Sequence, residues 1–192
     1  MADQLKMRRR SNADVPEVAL PSGYRLRHYV QGDEGVWADI INRAGALGEY
    51  TEEKVVDTLT GQPRFHPEGL LFVTTDADEP VATACAWLGT HDDWRAGSVH
   101  MVAVVPEHQG KRLSYWVCAA VLHVFRDWGV PDVYLTTDEF RTAAVKVYIQ
   151  LDFEPVIRTP EHYQRWCAVY RSYGMEERAT ALEKEAALGA CW

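Results

Sequence analysis

The sequence predicts a protein of the α/β class, in which strands and helices surround a single core. Length and composition support one domain, because 192 residues with 47% hydrophobic content can bury a substantial core. Segments with strand periodicity alternate with segments that keep helical spacing. Residues 99–105 form a nearly continuous apolar run, which is typical of a central strand covered on both faces, and a long amphipathic stretch follows at 111–128.

The chain is expected to contain an arm, a domain and a tail. Residues 1–22 contain an arginine triplet and two prolines without apolar periodicity, which predicts a flexible N-terminal arm. The domain is expected at 23–172. The Glu- and Ala-rich stretch 175–188, ended by Gly189, predicts a helix within a tail at 173–192.

Within the domain, the pattern predicts six to seven strands and about four helices. Asp33 and Thr51 are expected to cap the first two helices, and Gly129 is expected to end the long third helix. The polar stretch 76–80 predicts a hairpin turn. The predicted strands are 24–30, 70–75, 81–88, 99–105, 133–136, 153–157 and 165–170, and the predicted helices are 36–47, 55–59, 111–128 and 140–151.

Composition narrows the function classes. A formal net charge of -8 argues against a general nucleic-acid binder, because such proteins neutralise phosphates with a surplus of Lys and Arg. No stretch reaches the roughly 18 apolar residues of a membrane helix, and the polar start of the chain lacks the apolar run of a secretory signal. The four cysteines form no CxxC pair and the seven histidines are scattered, so no metal site is expected. We therefore expect a soluble, cytoplasmic protein without a membrane partner.

One segment has the arrangement of an anion site. The stretch 106–114 leads from the predicted central strand into the long helix. Backbone N–H groups at a helix start lack intrahelical partners and the helix dipole adds partial positive charge, so a phosphate there gains several hydrogen bonds. Lys111 and Arg112 add charge at the same place. An ordinary strand-to-helix turn with solvated basic residues explains the same spacing, and spacing alone does not choose between the two.

Two segments resemble the signatures of a known family. Val102-Ala103-Val104, Pro106 and then Gln109-Gly110-Lys111-Arg112-Leu113-Ser114 resemble motif A of the GCN5-related N-acetyltransferases, Q/R-x-x-G-x-G/A. Further along, the stretch 135–153 resembles the second signature, in which an Ala is followed four residues later by Tyr and then by a Gly-Phe pair. The order of the two segments and of the predicted elements between residues 23 and 170 also matches the family order.

The resemblance implies a fold, an activity and a donor. The implied GNAT fold has a central mixed, mostly antiparallel twisted sheet flanked by helices. The implied activity is that of an N-acetyltransferase-type acyltransferase, which moves an acetyl or other acyl group from acyl-CoA to a primary amine of a small molecule by direct attack in a ternary complex. Acetyl-CoA would be the co-substrate, with no metal. The alternatives are a different acyl donor such as aminoacyl-tRNA, which would make tRNA a partner, and a non-catalytic ligand-sensing module.

The resemblance also assigns residues to the donor site. The backbone at 102–104 is implied to pair with the pantetheine arm like an added strand, and residues 109–115 are implied to surround the pyrophosphate. Arg112 could point outward and pair with a phosphate, including the 3′-phosphate of CoA. The implied donor-site residues are Val102, Ala103, Val104, Gln109, Gly110, Lys111, Arg112, Leu113, Ser114, Tyr115 and Arg141.

Two residues are implied in catalysis. Tyr148 matches the tyrosine that protonates the CoA thiolate in many family members, and packing on an apolar helical stripe is its alternative role. His100 is expected to share a strand face with Val102 and Val104 by alternation. There it would relay the proton of the amine, for which an imidazole pKa of about 6.5 is suited, or it would be a hydrogen-bonded strand histidine.

The acceptor site is less defined. Glu49 could serve as a base or bind the substrate amine, and Trp87 could contact the substrate. Whether the protein forms a homodimer stays open, because the tail helix from Met175 could contribute to a dimer or could be a solvated appendage. The aromatic residues that could line an acceptor pocket, or equally form core, are Trp37, Tyr50, Trp87, Trp94, Tyr163 and Trp166.

Three positions depart from the family pattern. Arg112 stands where motif A has glycine, Ser114 where it has glycine or alanine, and Asp152 where the later pair has glycine. Glycine allows a close backbone approach to a ligand, which a long side chain can obstruct. These departures leave open whether the donor site takes acyl-CoA or another acyl carrier.

Overall fold

The structure is a computed structural model that describes residues 4–45, 47–90, 93 and 95–187. The chain divides into two compact units: Arg9–Leu135 form the larger, and the described residues up to Arg8 and from Thr136 onward form the smaller. The strands are β1 (Leu5–Arg9), β2 (Tyr24–His28), β3 (Leu70–Thr75), β4 (Pro80–Leu88), β5 (Gly97–Val104), β6 (Val133–Thr137) and β7 (Glu154–Pro155). The helices are α1 (Glu34–Ala44), α2 (Glu52–Val55), α3 (Leu113–Asp127), α4 (Thr142–Gln150), α5 (Pro160–Ser172) and α6 (Glu176–Ala187).

The sheet of the larger unit is built mainly from antiparallel strands. β2, β3, β4 and β5 pair in that order, and β6 joins β5 in parallel. β3 is apolar and buried at nearly every position, as expected for a strand covered on both faces. The predicted hairpin turn at 76–80 is confirmed, since the Thr75 N–H donates to the Glu79 carbonyl oxygen at 2.9 Å.

Helices cover both faces of this sheet. Val117, Val121 and Phe125 of α3 are fully buried, and a Cβ added at Gly97 of β5 would lie only 2.5 Å from the Phe125 ring. Close packing of α3 therefore requires glycine at position 97. On the opposite face, the Arg27 guanidinium lies 4.6 Å from the centre of the Phe72 ring, beside the start of α1.

The helix starts follow the sequence signals with two differences. Thr51 caps α2 as predicted, because its hydroxyl accepts the Lys54 N–H. Asp33 occupies the N-cap position of α1, but its carboxylate binds Arg27 at 2.6 Å instead of capping the helix. The long helix α3 begins at Leu113 and not at the predicted residue 111, because the preceding residue is left-handed.

The smaller unit corrects the predicted N-terminal arm. Residues 1–22 were expected to be flexible, but Leu5–Arg9 form β1, which pairs antiparallel with β7 through Met7 opposite Pro155. Leu5, Met7 and Arg9 are buried. Lys6 and Arg8 alternate with the buried Leu5 and Met7, but Arg9 is charged and also lies on the buried side, so this short period-two pattern was missed.

The predicted strand at 165–170 is wrong, since this segment lies inside helix α5. The start signal is complete: Thr159 accepts the His162 N–H at 3.2 Å, and Pro160 follows at the first helical position. Aromatic and β-branched residues favour a strand by composition. Their spacing is helical, because the side chains that pack or lie half-buried recur at three- and four-residue steps at Tyr163, Trp166, Cys167 and Tyr170.

The predicted tail helix is confirmed as α6 within the described residues, and its predicted end at 188 and 189 lies outside them. It packs against α5: the Arg171 guanidinium pairs with Glu176 at 3.6 Å and with Glu183, and the Cys167 thiol donates to the Ala179 carbonyl oxygen. Across the described ranges, no helix has both the length and the apolar character needed to cross a membrane.

Candidate donor and acceptor site

The loop between β5 and α3 changes direction within a few residues. Pro106–His108 form a single 3-10 turn, Gln109 is extended, and Gly110 takes a positive φ of 75°. The Gln109 side-chain amide donates back to the Val104 carbonyl oxygen at 3.1 Å, which ties the loop to the end of β5. Arg112 is left-handed, with φ 61° and ψ 19°, and α3 begins immediately after it.

The start of α3 presents a run of unpaired donors. No side chain caps this helix. In the part of the chain that the structure describes, the backbone N–H groups of residues 110–115 donate to no acceptor. Lys111 and Arg112 are exposed at the same turn, and the helix dipole adds partial positive charge. We call residues 110–115 the amide cradle, and its chemistry suits a phosphate group.

Arg112 keeps the backbone conformation expected of the glycine it replaces. Its φ of 61° lies in the left-handed region that glycine adopts without steric cost. The guanidinium carbon lies 4.7 Å from the centre of the Tyr115 ring and 5.7 Å from that of Trp116. The long side chain therefore rests on aromatic rings of the first turns of α3.

A second network holds Lys111. Its ammonium donates to the Tyr24 hydroxyl at 2.9 Å and to the Glu107 carbonyl oxygen at 3.4 Å. The Tyr24 hydroxyl also lies 2.8 Å from His108 Nδ1. Neither Tyr24 nor His108 was predicted as a site residue, because Tyr24 lies 87 positions before Lys111 and nothing in the local spacing connects them.

Strand β5 contains a bulge just before the loop. Cys85 of β4 pairs with His100, but Thr83 pairs with Ala103, so one residue of β4 stands opposite two of β5. Met101 within the bulge has a positive φ of 53°. The bulge bends β5 where it approaches the amide cradle.

β5 also separates from its neighbour on the other side. Its ladder with β6 consists, among the described residues, of Gly97 opposite Val133 and Ser98 opposite Tyr134. The edge of β5 at residues 102–104 therefore lies beyond that ladder. An extended ligand arm can hydrogen-bond to such an edge as an added strand.

The bulge corrects the predicted orientation of His100. His100 pairs with Cys85 and Val104 pairs with Ala82, and these two β4 residues point to opposite faces because they are three positions apart. The expectation that His100 shares a face with Val104 is therefore wrong. One inserted residue reverses the alternation, and Val102 itself lies in the bulge.

His100 lies beside Trp87, with ring centres 5.5 Å apart and planes tilted by 40°. Burial lowers the pKa of His100 to about 4, well below the ordinary imidazole value on which the predicted proton relay depends. The imidazole is therefore neutral at pH 7, and it takes up a proton less readily than an exposed histidine does.

Tyr148 lies in α4 of the smaller unit and is 7% exposed. Its ring centre is 6.1 Å from that of Phe153, and its carbonyl oxygen accepts the Phe153 N–H at 3.0 Å. Asp152, between them, has a positive φ of 58°. The second position that lacks the family's glycine thus also keeps a left-handed backbone.

Arg141 precedes α4 in the smaller unit. Its Nε lies 3.0 Å from the Asp138 carboxylate, and its guanidinium carbon lies 5.6 Å from the ring centre of Phe140, which is 74% exposed. Glu139 lies in the same loop, and its carboxylate accepts two hydrogen bonds from Arg165 of α5, each at 2.7 Å. This interaction lowers the pKa of the Glu139 carboxyl. Helix α5 therefore fixes the loop that leads into α4.

The acceptor candidates lie between α1 and α2 and on β4. Glu49 is exposed, and its carbonyl oxygen accepts from the Lys54 ammonium at 2.5 Å. The Asn42 side chain holds the same loop by two hydrogen bonds: its Oδ1 accepts the Tyr50 N–H at 2.8 Å, and its Nδ2 donates to the Tyr50 carbonyl oxygen at 2.9 Å. Among the other aromatic candidates, Trp37 and Trp166 are buried core, Tyr163 is half-buried, and Trp94 lies outside the described residues.

The whole arrangement was compared with known proteins. The family model described as the Acetyltransferase (GNAT) family matches residues 37–153, a range that includes β5, the amide cradle and α4. The chain belongs to this family. The suspected resemblance is therefore confirmed.

Relatives and solved structures agree with the GNAT family. The chain is 32% identical over 166 residues to the mycothiol acetyltransferase of Kocuria rhizophila, covering 79% of this chain and 53% of that protein. It is 33% identical over 155 residues to the mycothiol acetyltransferase of Thermomonospora curvata, covering 78% and 50% respectively. The chain thus spans about half the length of these relatives.

The predicted fold class is also confirmed. A GCN5-related N-acetyltransferase from Sphaerobacter thermophilus superposes with a TM-score of 0.68 at 23% identity, covering 79% of this chain and 48% of that one.

In the ranges that the structure describes, no group of three or more His, Cys, Asp or Glu side chains is placed to hold a metal ion.

Proposed function

We propose that this chain transfers an acetyl or other acyl group from acyl-CoA to a primary amine of a small molecule, by direct attack in a ternary complex. The observation that carries the proposal is the amide cradle: six consecutive N–H groups at 110–115 without acceptors, within the described chain, at the start of a GNAT-family helix. Such a cradle suits the pyrophosphate of CoA, with additional charge from Lys111 and Arg112.

The residues present fit this donor. Gly110 has no atom within 4 Å of an added Cβ, so space is open beside the cradle. Gln109 holds the loop against β5, and Leu113, Ser114 and Tyr115 contribute N–H groups. The backbone of Val102, Ala103 and Val104 would bind the pantetheine arm, and Arg141 would add positive charge.

Acyl-CoA supplies a thioester carbonyl that an amine can attack. Aminolysis requires a neutral amine, stabilisation of the developing oxyanion and a proton for the departing thiolate. In our proposal Tyr148 donates that proton, since a phenol needs no prior charge. His100 accepts hydrogen bonds from the amine as a neutral imidazole; its low pKa favours release of the proton onward to water.

The acceptor is proposed as a small-molecule amine bound near Trp87 and Glu49. Trp87 is half-buried, and its ring would contact the amine cation through a cation–π interaction before the amine loses its proton. The relatives are named mycothiol acetyltransferases, so compounds related to mycothiol belong in the first acceptor screen. We also propose a cytoplasmic setting, where the buried thiols of Cys85 and Cys118 stay reduced.

Isothermal titration with acetyl-CoA, CoA and 3′-dephospho-CoA tests the donor. We expect micromolar binding of acetyl-CoA. Weaker binding of 3′-dephospho-CoA alone would assign the basic residues to the 3′-phosphate. No binding of any of the three would contradict the proposal and favour another acyl carrier or a non-catalytic role.

The kinetic test uses Tyr148→Phe with an accepted amine. Loss of the proton donor should lower kcat by about 100-fold or more while the affinity for acetyl-CoA stays the same. Trp166→Phe, which alters a buried ring on another helix of the same unit, serves as the packing control. Equal kcat for Tyr148→Phe and the unaltered enzyme would remove Tyr148 from the mechanism.

A further inference from the structure

Three groups from two parts of the larger unit meet at the edge of the amide cradle. The Lys111 ammonium donates to the Tyr24 hydroxyl at 2.9 Å, and that hydroxyl lies 2.8 Å from His108 Nδ1. The Tyr24 and His108 rings meet edge to face with centres 5.7 Å apart. The Lys111 ammonium also lies 5.6 Å from the centre of the Tyr24 ring.

The chemistry of Lys111 fixes the direction of one of these hydrogen bonds. An ammonium can only donate, so the Tyr24 oxygen accepts from Lys111. Tyr24 donates its phenolic proton to His108 Nδ1 in the tautomer that carries its proton on Nε2, and in the other tautomer His108 Nδ1 donates to the Tyr24 oxygen. In both tautomers the Tyr24 oxygen accepts from the Lys111 ammonium, so Tyr24 links Lys111 to His108.

The sheet holds the backbone of Tyr24 in place and so limits the movement of its side chain. Tyr24 pairs with Thr75 in the β2–β3 ladder, and its N–H donates to the Pro21 carbonyl oxygen at 3.2 Å. Lys111 is exposed and lies on a loop, where a long flexible side chain otherwise samples many rotamers. Ordering such a side chain on binding a ligand costs conformational entropy, and this cost is smaller for a lysine that is already anchored.

We propose that Tyr24 is a positioning residue of the donor site, which orders the Lys111 ammonium beside the amide cradle for the pyrophosphate of acyl-CoA. The inference rests on the proposed function and adds to it a residue outside the family motifs. Tyr24 acts through Lys111, so its effect on affinity should vanish when Lys111 is absent.

Binding of acetyl-CoA and of S-acetylpantetheine, which lacks the phosphates, is measured by titration for the unaltered protein and four variants. Tyr24→Phe keeps the ring and removes the hydroxyl, Lys111→Gln removes the charge, and the third variant combines them. Tyr173→Phe is the matched control, because the Lys146 ammonium lies 5.1 Å from the Tyr173 ring outside the donor loop. Thermal unfolding of each variant verifies that it folds.

We expect Tyr24→Phe to weaken acetyl-CoA binding about threefold to tenfold, which corresponds to the entropic cost of ordering one long side chain on binding. The combined variant should bind no more weakly than Lys111→Gln, and the effect of Tyr24→Phe should shrink at high salt. S-acetylpantetheine should bind all variants alike, and Tyr173→Phe should match the unaltered protein.

The outcomes separate the two proposals. If the unaltered protein binds no acetyl-CoA, the proposed function fails and this inference fails with it. If it binds acetyl-CoA but Tyr24→Phe binds equally or more tightly, only the role of Tyr24 is overturned. Full additivity of the two substitutions would also overturn it, because Tyr24 would then act independently of Lys111.

Discussion

Arg112 and Asp152 hold φ angles of 61° and 58°, a region in which a Cβ is crowded by the backbone. Both stand where the family signatures have glycine. The energetic cost is smaller for aspartate, whose short polar side chain tolerates this region better than most. At both positions the backbone takes the left-handed conformation that glycine adopts without steric cost, although the residue is not glycine.

This view predicts an unusual order of stability at position 112. Arg112→Gly should be more stable than Arg112→Ala by about 1 kcal/mol, because glycine relieves the left-handed strain that alanine keeps. Both variants lose the contact with the Tyr115 ring, so their difference isolates the backbone. Urea unfolding of the two variants measures it.

The control is an ordinary helical site. Thr180 is exposed within α6, and there the glycine variant should be less stable than the alanine variant by about 1 kcal/mol. The same order at both positions would mean that Arg112 is not held left-handed in solution.

His100 predicts a pH dependence of stability. Its pKa is about 4 in the folded protein, lowered by burial, against about 6.5 in an unfolded chain. As the pH falls from 6.5 to 4, the unfolded state binds a proton that the folded state does not, so the free energy of unfolding decreases. This contribution is fully present above pH 6.5, and its slope is at most about 1.4 kcal/mol per pH unit.

Urea unfolding of the unaltered protein and of His100→Gln between pH 4 and 8 checks this prediction. The variant should show the shallower loss of stability below pH 6.5. Parallel curves for the two proteins would show that His100 titrates normally and would restore it as an ordinary base.

At the scale of elements, helical spacing, strand alternation or a continuous apolar run was enough to predict most of the larger unit. β2 to β6 and α1, α3 and α4 lie where the pattern predicts them. The bulge in β5 could not be predicted, since no residue type marks it and Met101 is a common strand residue. The predicted strand-to-helix segment 106–114 lies between β5 and α3, but the predicted face of His100 is wrong.

Helix α5 shows a conflict between composition and spacing. Its aromatic residues favour a strand, but Thr159, Pro160 and the first-turn Glu161 form a helix start signal. The start signal and the helical spacing agree with each other, and together they outweigh composition.

Thr159 therefore should contribute measurably to stability. Thr159→Ala removes the hydroxyl that accepts the His162 N–H, and should lower the free energy of unfolding by about 1 kcal/mol. Thr159→Ser keeps the cap and should stay within a few tenths of the unaltered protein. Equal losses for alanine and serine would show that packing of the threonine methyl group, and not capping, is what matters.

At the scale of the whole molecule, the predicted order of elements holds through the larger unit, but in the smaller unit it lacks β1 and has a strand in place of α5. β7 was expected to be followed by a strand at 165–170, but its partner is β1 from the start of the chain. Local patterns cannot reveal such a pairing, because Met7 and Pro155 are distant in sequence. The smaller unit is therefore discontinuous, and it is complete only when both stretches are present.

This discontinuity predicts where a substitution in β1 is felt. Met7 is fully buried, so Met7→Ala should cost about 2–5 kcal/mol of stability. Because β1 pairs with β7, hydrogen exchange should quicken most in β7 and α4 of the smaller unit, while β3 keeps its protection. Val30→Ala, at a position 62% exposed, should change neither stability nor exchange by much. Uniform loss of protection in both units would show instead that they unfold as one cooperative body, with β1 required for the whole chain.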